Sequence, residues 1–148
     1  MECQKCVITP GYHMFVYFGN FRGKMLVYSS PAKSKDYNED GTKLENITRH
    51  INYYQWPWIW VFDGGGMGFR DYTEFSFTMG LLDALAKNKN LKEIWVIRSN
   101  LWLSGTISLL KTISSEPILE KIRMIEGSLF ETGMDTDSLL WLNEQCKE

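Results

Sequence analysis

Apolar residues fall in short blocks separated by polar, glycine-bearing or proline-bearing breaks, and the period within each block sets the element it predicts. Met14-Phe15-Val16-Tyr17-Phe18 and Lys24-Met25-Leu26-Val27-Tyr28-Ser29 are β-branched and aromatic, and the Gly19-Asn20-Phe21-Arg22-Gly23 between them predicts a hairpin. The polar stretch from Ser30-Pro31 to Glu39-Asp40-Gly41 reads as a surface loop. Leu44, Ile47, Ile51 and Tyr54 then recur at helical spacing behind Thr42, a cap with Glu45 at the reciprocal position. Trp58-Ile59-Trp60-Val61-Phe62 is unbroken and ends in Asp63 and glycines, which predicts a central strand buried on both faces.

Beyond the glycines, Asp71 and Glu74 open a second helix whose apolar side carries Phe75, Met79, Leu82 and Ala86, widened by Phe77, Leu81, Ala84 and Leu85. Lys92-Glu93-Ile94-Trp95-Val96-Ile97-Arg98 is a further strand. Residues 101–113 are apolar at helical spacing and stop before Pro117. Lys121-Ile122-Arg123-Met124-Ile125 alternates like a strand nearer an edge, and 135–145 closes the chain as a helix. The order ββαβαβαβα predicts an α/β fold: a mixed sheet of about five strands, an antiparallel hairpin followed by parallel strands, flanked by helices through right-handed crossovers. No repeat or linker divides residues 1–148, which read as one compact domain.

Composition narrows the function. Six Trp, seven Tyr and eight Phe make the chain 14% aromatic, an excess that needs somewhere to pack. A net charge of −2 offers no general attraction to phosphate backbones, so nucleic acid is not an expected partner. No apolar run approaches the length of a membrane span and the start has no signal design, so the chain reads as soluble and cytoplasmic with at most peripheral membrane contact. Three cysteines are too few for a disulfide framework. Cys3 and Cys6 form a C-x-x-C, but a zinc site needs a second ligand pair, and His13, His50 and Cys146 lack paired spacing. A frayed N-terminal segment with no metal and no cofactor is the expectation.

Asp63-Gly64-Gly65-Gly66-Met67-Gly68 lies at the carboxyl end of the central strand, where open α/β sheets hold ligands. Counting G-x-G-x-x-G from Gly64 puts Phe69 at the last position, and the Gly-Lys-Ser/Thr of a P-loop is missing, so neither nucleotide motif is met. The turn reads as a tight strand-to-helix connection, and Asp63 as a helix-capping or loop-fixing acid without an obvious acid or base partner. No enzyme is expected.

Residues 58–130 resemble the CRAL-TRIO superfamily, the lipid-binding fold of retinaldehyde-binding protein and the phosphatidylinositol transfer proteins. Trp60-Val61-Phe62-Asp63-Gly64-Gly65-Gly66-Met67 is similar to the family's strand ending in an acid and a glycine turn. Asn90-Leu91-Lys92-Glu93-Ile94-Trp95-Val96-Ile97-Arg98-Ser99-Asn100-Leu101-Trp102 is similar to its next strand and small-residue turn, and 107–113 with Glu116 and Lys121-Ile122 to its gate-helix region and "K-I" strand. The usual proline after that strand is replaced by Ser99-Asn100-Leu101, the gate region is short, and the family's N-terminal helical domain is not in this sequence. These departures resemble the compact branch that includes BCH domains, some of which are protein scaffolds.

The resemblance implies a lipid or small hydrophobic ligand held between sheet and gate helix 103–113, with Phe62, Met67, Phe69, Phe75, Trp102, Leu103, Ile107 and Leu110 as candidate lining residues. The same residues also serve as plain core. A charge at Leu103 or Ile107 is expected to abolish ligand retention and leave the fold intact, and Arg98 and Lys111 read as exposed solubilising residues. The alternative is a scaffold that binds a protein partner or a second copy through Trp102, Trp141 and Leu142. A STAS-like regulatory domain shares the strand–helix alternation, although Thr73 is the hydroxyl nearest the central turn, with Ser76 and Ser104 farther on.

Overall fold

The computed structural model describes residues 4–9, 13–33, 43–67, 75–126 and 132–147. A short helix α1 (Gln4–Ile8) precedes the hairpin β1 (Phe15–Phe21) and β2 (Lys24–Ser29). Then come α2 (Lys43–Tyr53), β3 (Trp58–Asp63), α3 (Phe75–Lys87), β4 (Leu91–Ile97) and α4 (Leu101–Ile113). A 3-10 turn (Pro117–Lys121), β5 (Ile122–Ile125) and α5 (Thr136–Gln145) complete the chain. The strands form one sheet in the order β1-β2-β3-β4-β5, with β1 and β2 antiparallel and every later pair parallel. The expected α/β fold with its mixed five-stranded sheet is therefore present, and the apolar run at Trp58 is the central strand.

Sequential strand order also decides where the helices go. Each right-handed crossover steps the same way along the sheet, so α2, α3 and α4 all lie on one face. That face is covered by Val27, Trp58, Trp60, Ile94 and Val96 from the strands, and by Ile47, Ile51, Leu82, Leu85, Leu103 and Ile107 from the helices. The other face carries Leu26, Tyr28, Ile59, Val61, Trp95 and Ile97, packed against Leu139 and Leu142 of α5. Alternation along β2, β3 and β4 thus feeds two cores at once, which is why these strands read as continuous apolar runs.

In β1 a register shift between Tyr17 and Gly19 reverses the facing, so that Phe21 joins Phe18 on the α5 face, opposite the helix-covered face to which Phe15 belongs. Gly19 is also where α5 sits down: a Cβ there would lie 2.0 Å from Ser138 Oγ.

Several expectations change. The helix with Met79 and Leu82 leaves Ala86 exposed, and its proposed Asp71 cap lies outside the described residues, as does Thr42. The segment expected to fray is helical at α1. Trp141 stacks on Phe18 with ring centres 4.8 Å apart and is half-buried against the second core, and Leu142 is fully buried within it, so Leu142 offers no scaffold surface. Among the described residues no helix is long and apolar enough to cross a membrane.

Candidate functional site

At the carboxyl end of the sheet Asp63 has no exposed surface at all. Its Oδ1 accepts from the Gly65 backbone N–H at 2.8 Å and from Arg98 Nε at 2.9 Å, and Oδ2 accepts from Arg98 Nη2 at 2.7 Å and from the Tyr28 hydroxyl. The parallel register sets this up: Asp63 stands opposite Ile97, the last residue of β4, and Arg98 follows it directly. Arg98 adopts a left-handed backbone (φ 49°), and Nη1 reaches the Cys146 carbonyl at 3.2 Å, behind the last turn of α5. Lys33 Nζ donates to the neighbouring Gln145 carbonyl. A helix C-terminus is a favourable place for both cations.

The loop-fixing part expected of Asp63 is therefore met, whereas Arg98 is no solubilising residue. Its side chain keeps 27% of its surface exposed and makes a two-point pair with a buried acid. The hydrogen bonds to Asp63 push its pKa further upward. Burial, reinforced by the bond to Asp63, holds the Tyr28 phenol protonated well above its ordinary range.

The bareness of the turn now has a physical cause. A Cβ on Gly65 would lie 2.3 Å from Arg98 Cζ, so the guanidinium occupies the space a side chain would need. Gly66 has φ +78°, which an L side chain rarely adopts, and a Cβ on Gly64 would meet Leu103 Cδ2 at 2.9 Å. The acid was visible in the sequence as a lone group at a strand end. Its partner became identifiable only with the register that pairs β3 and β4.

Of the eight candidate lining residues, Leu103 and Ile107 are buried in the helix-covered core, and Phe62 and Leu110 are half-buried against it. Met67 is half-buried, and its carbonyl accepts from Asn100 Nδ2 at 3.2 Å. Phe69 lies outside the described residues, as do the side chains of Phe75 and Trp102. Leu103 is 8% and Ile107 9% exposed, so a charge at either would not leave the fold intact as expected from the sequence. Asn100 caps α4, its Oδ1 accepting from Leu103 N–H at 2.9 Å, and the helix has Lys111 as its one charged residue. Its outer side exposes Leu101 (84%), Leu109 and Ile113, with Gly105 between them facing open space.

A second constellation lies beside α2. His13, 1% exposed, precedes β1 and is turned inward next to Met14, whose φ is 52°. His50 on α2 is buried and stacks on Phe15 at 4.8 Å. His13 Nδ1 and His50 Nε2 are 2.9 Å apart, and Cys6 Sγ of α1 lies 3.6 Å from the first and 3.7 Å from the second. Burial first, then the charges of His13 and Arg49, lower the His50 pKa to about 4, which keeps its imidazole neutral at ordinary pH. These residues come from α1, the turn before β1, and α2, which is why no paired spacing announced them. Cys3, the other half of the C-x-x-C, lies outside the described residues.

A scan against protein-family models finds no match, and a search of curated proteins finds none either.

Proposed function

We propose that this domain is a non-catalytic cytoplasmic binder of a lipid or small hydrophobic ligand, taken up beneath α4 as a gate. The observation that supports this reading best is that α4 carries large apolar residues on both its sides. Its inner side, Leu103 and Ile107, covers the strand face that bears Trp60 and Phe62, while its outer side leaves Leu101, Leu109 and Ile113 in water beside Ser108, Lys111 and Thr112. A helix that only closed a core would be polar outside. One that leaves the sheet to admit an apolar ligand, against a membrane or another apolar surface, gains from apolar residues on both sides.

The acid end of the sheet fits a non-catalytic reading. Asp63 is committed to four hydrogen bonds, which leaves it occupied as a structural tie. The resemblance of residues 58–130 to CRAL-TRIO sequences agrees with the same proposal. Affinity would come from removing ligand surface from water, at about 25 cal/mol per Å² before association costs.

The test is uptake of a fluorescent fatty acid by the purified chain. Saturable uptake of one molecule per chain, displaced by unlabelled oleate and lost in Leu110→Trp, is the expected result. A folded chain that takes up no probe would overturn the proposal. The exposed side of α4 also favours a second reading, a ligand-free scaffold that docks a protein partner or a second copy there. A concentration-dependent dimer abolished by Leu109→Glu, together with no lipid uptake, would establish it.

A further inference from the structure

The geometry points to a zinc-class divalent metal site made by Cys6 Sγ, His13 Nδ1 and His50 Nε2, separate from the proposed ligand site. Metal bonds of about 2.3 Å to sulfur and about 2.0–2.1 Å to nitrogen, meeting at tetrahedral angles, place a sulfur and a nitrogen roughly 3.5 Å apart and two nitrogens roughly 3.3 Å apart. The distances here are 3.6 and 3.7 Å for sulfur to nitrogen and 2.9 Å between the nitrogens. Two sides of the triangle already match, and the third needs only a few tenths of an ångström of opening as the ion replaces the His–His hydrogen bond.

The donor set carries the choice of ion. One thiolate and two imidazoles suit a borderline-soft d-block ion and offer no oxygen cage for magnesium or calcium. The atoms are also held in place before any ion arrives. His50 is fixed by its stack on Phe15, and His13 by the left-handed turn at Met14 and near-complete burial. Cys6 is half-buried at an open cleft of about 150 Å³ shared with Phe15, Arg49, His50 and Tyr54. Binding replaces the Cys6 thiol proton with the metal and releases that proton to solvent. The bond set joins α1, the start of β1 and α2, and so pins a five-residue helix whose Val7 and Ile8 are otherwise half or more exposed.

Untagged protein, stripped with chelator and titrated with Co²⁺, tests this directly. One equivalent should give visible d–d bands and a near-ultraviolet thiolate charge-transfer band, both removed by one equivalent of Zn²⁺. Zinc should also raise Tm in a concentration-dependent way. Cys6→Ser, at a half-buried position that leaves both cores untouched, should stay folded by circular dichroism, lose the charge-transfer band and bind more than about 100-fold more weakly, beyond what loss of a supporting contact costs a metal site. His50→Gln should lose affinity with the charge-transfer band diminished. Folded wild-type protein that produces no bands, or bands that persist in Cys6→Ser through Cys3 or Cys146, would overturn the assignment. Because lipid uptake is read by a different probe, failure here leaves the proposed function standing, and the reverse holds too.

Discussion

Asp63 and Arg98 form a two-point ion pair around a fully buried acid at the carboxyl end of the sheet. A buried carboxylate costs several kcal/mol to desolvate unless its partners are complete, and here an arginine fork, a backbone N–H and a phenol complete them. Arg98→Ala leaves the acid buried without its cation and is expected to destabilise the domain by about 3–5 kcal/mol. Urea denaturation checks this, and a loss under about 1 kcal/mol would show that the acid finds water instead. Gly65→Ala forces the guanidinium out and should cost about 1–3 kcal/mol. The two substitutions act through one contact, so the double variant should fall well short of additivity; a simple sum would mean the glycine matters for another reason. Cys146 lies in the same neighbourhood, and burial, then the Asp63 charge, raise its thiol pKa. A raised pKa means less thiolate, so iodoacetamide should modify Cys146 more slowly in the folded chain than after unfolding, as peptide mass mapping would read. Equal rates would contradict that placement.

At the scale of elements, α4 has two apolar sides with different work. Leu103→Ala removes packing from the sheet and should cost about 2–5 kcal/mol. Leu109→Gln and Ile113→Gln, on the outer side, should change stability by no more than about 0.5 kcal/mol and slow transfer of fluorescent fatty acid to vesicles. Unchanged transfer would remove the outer side from the gate account. The elements themselves were legible wherever one period ran uninterrupted: the block at Trp58 became the central strand, and the Leu103, Ile107, Leu110 spacing became a helix with its apolar side inward. Helix α1 was not legible, since five residues are too few for a period, and its Cys6 meets one histidine seven residues on and another far along the chain on α2. The register shift at Tyr17 was also hidden, because it changes facing without changing the composition of β1.

For the whole molecule, the decisive fact is that one strand order puts three helices on one face and leaves the other to α5. The alternation of strands and helices made the mixed sheet foreseeable, with its antiparallel start. What it left open was contact across the chain: the Asp63–Arg98 pair joins the carboxyl ends of the adjacent strands β3 and β4, and Leu142 looks like a surface residue until α5 is placed on the second face. A hydrophobic ligand carried under α4, as proposed, is read out by native mass spectrometry of the chain purified from cells, followed by solvent extraction. A stoichiometric added mass that leaves with the solvent and is identified as lipid is the expected result. A bare chain in repeated preparations, still bare after incubation with lipid vesicles, would contradict it.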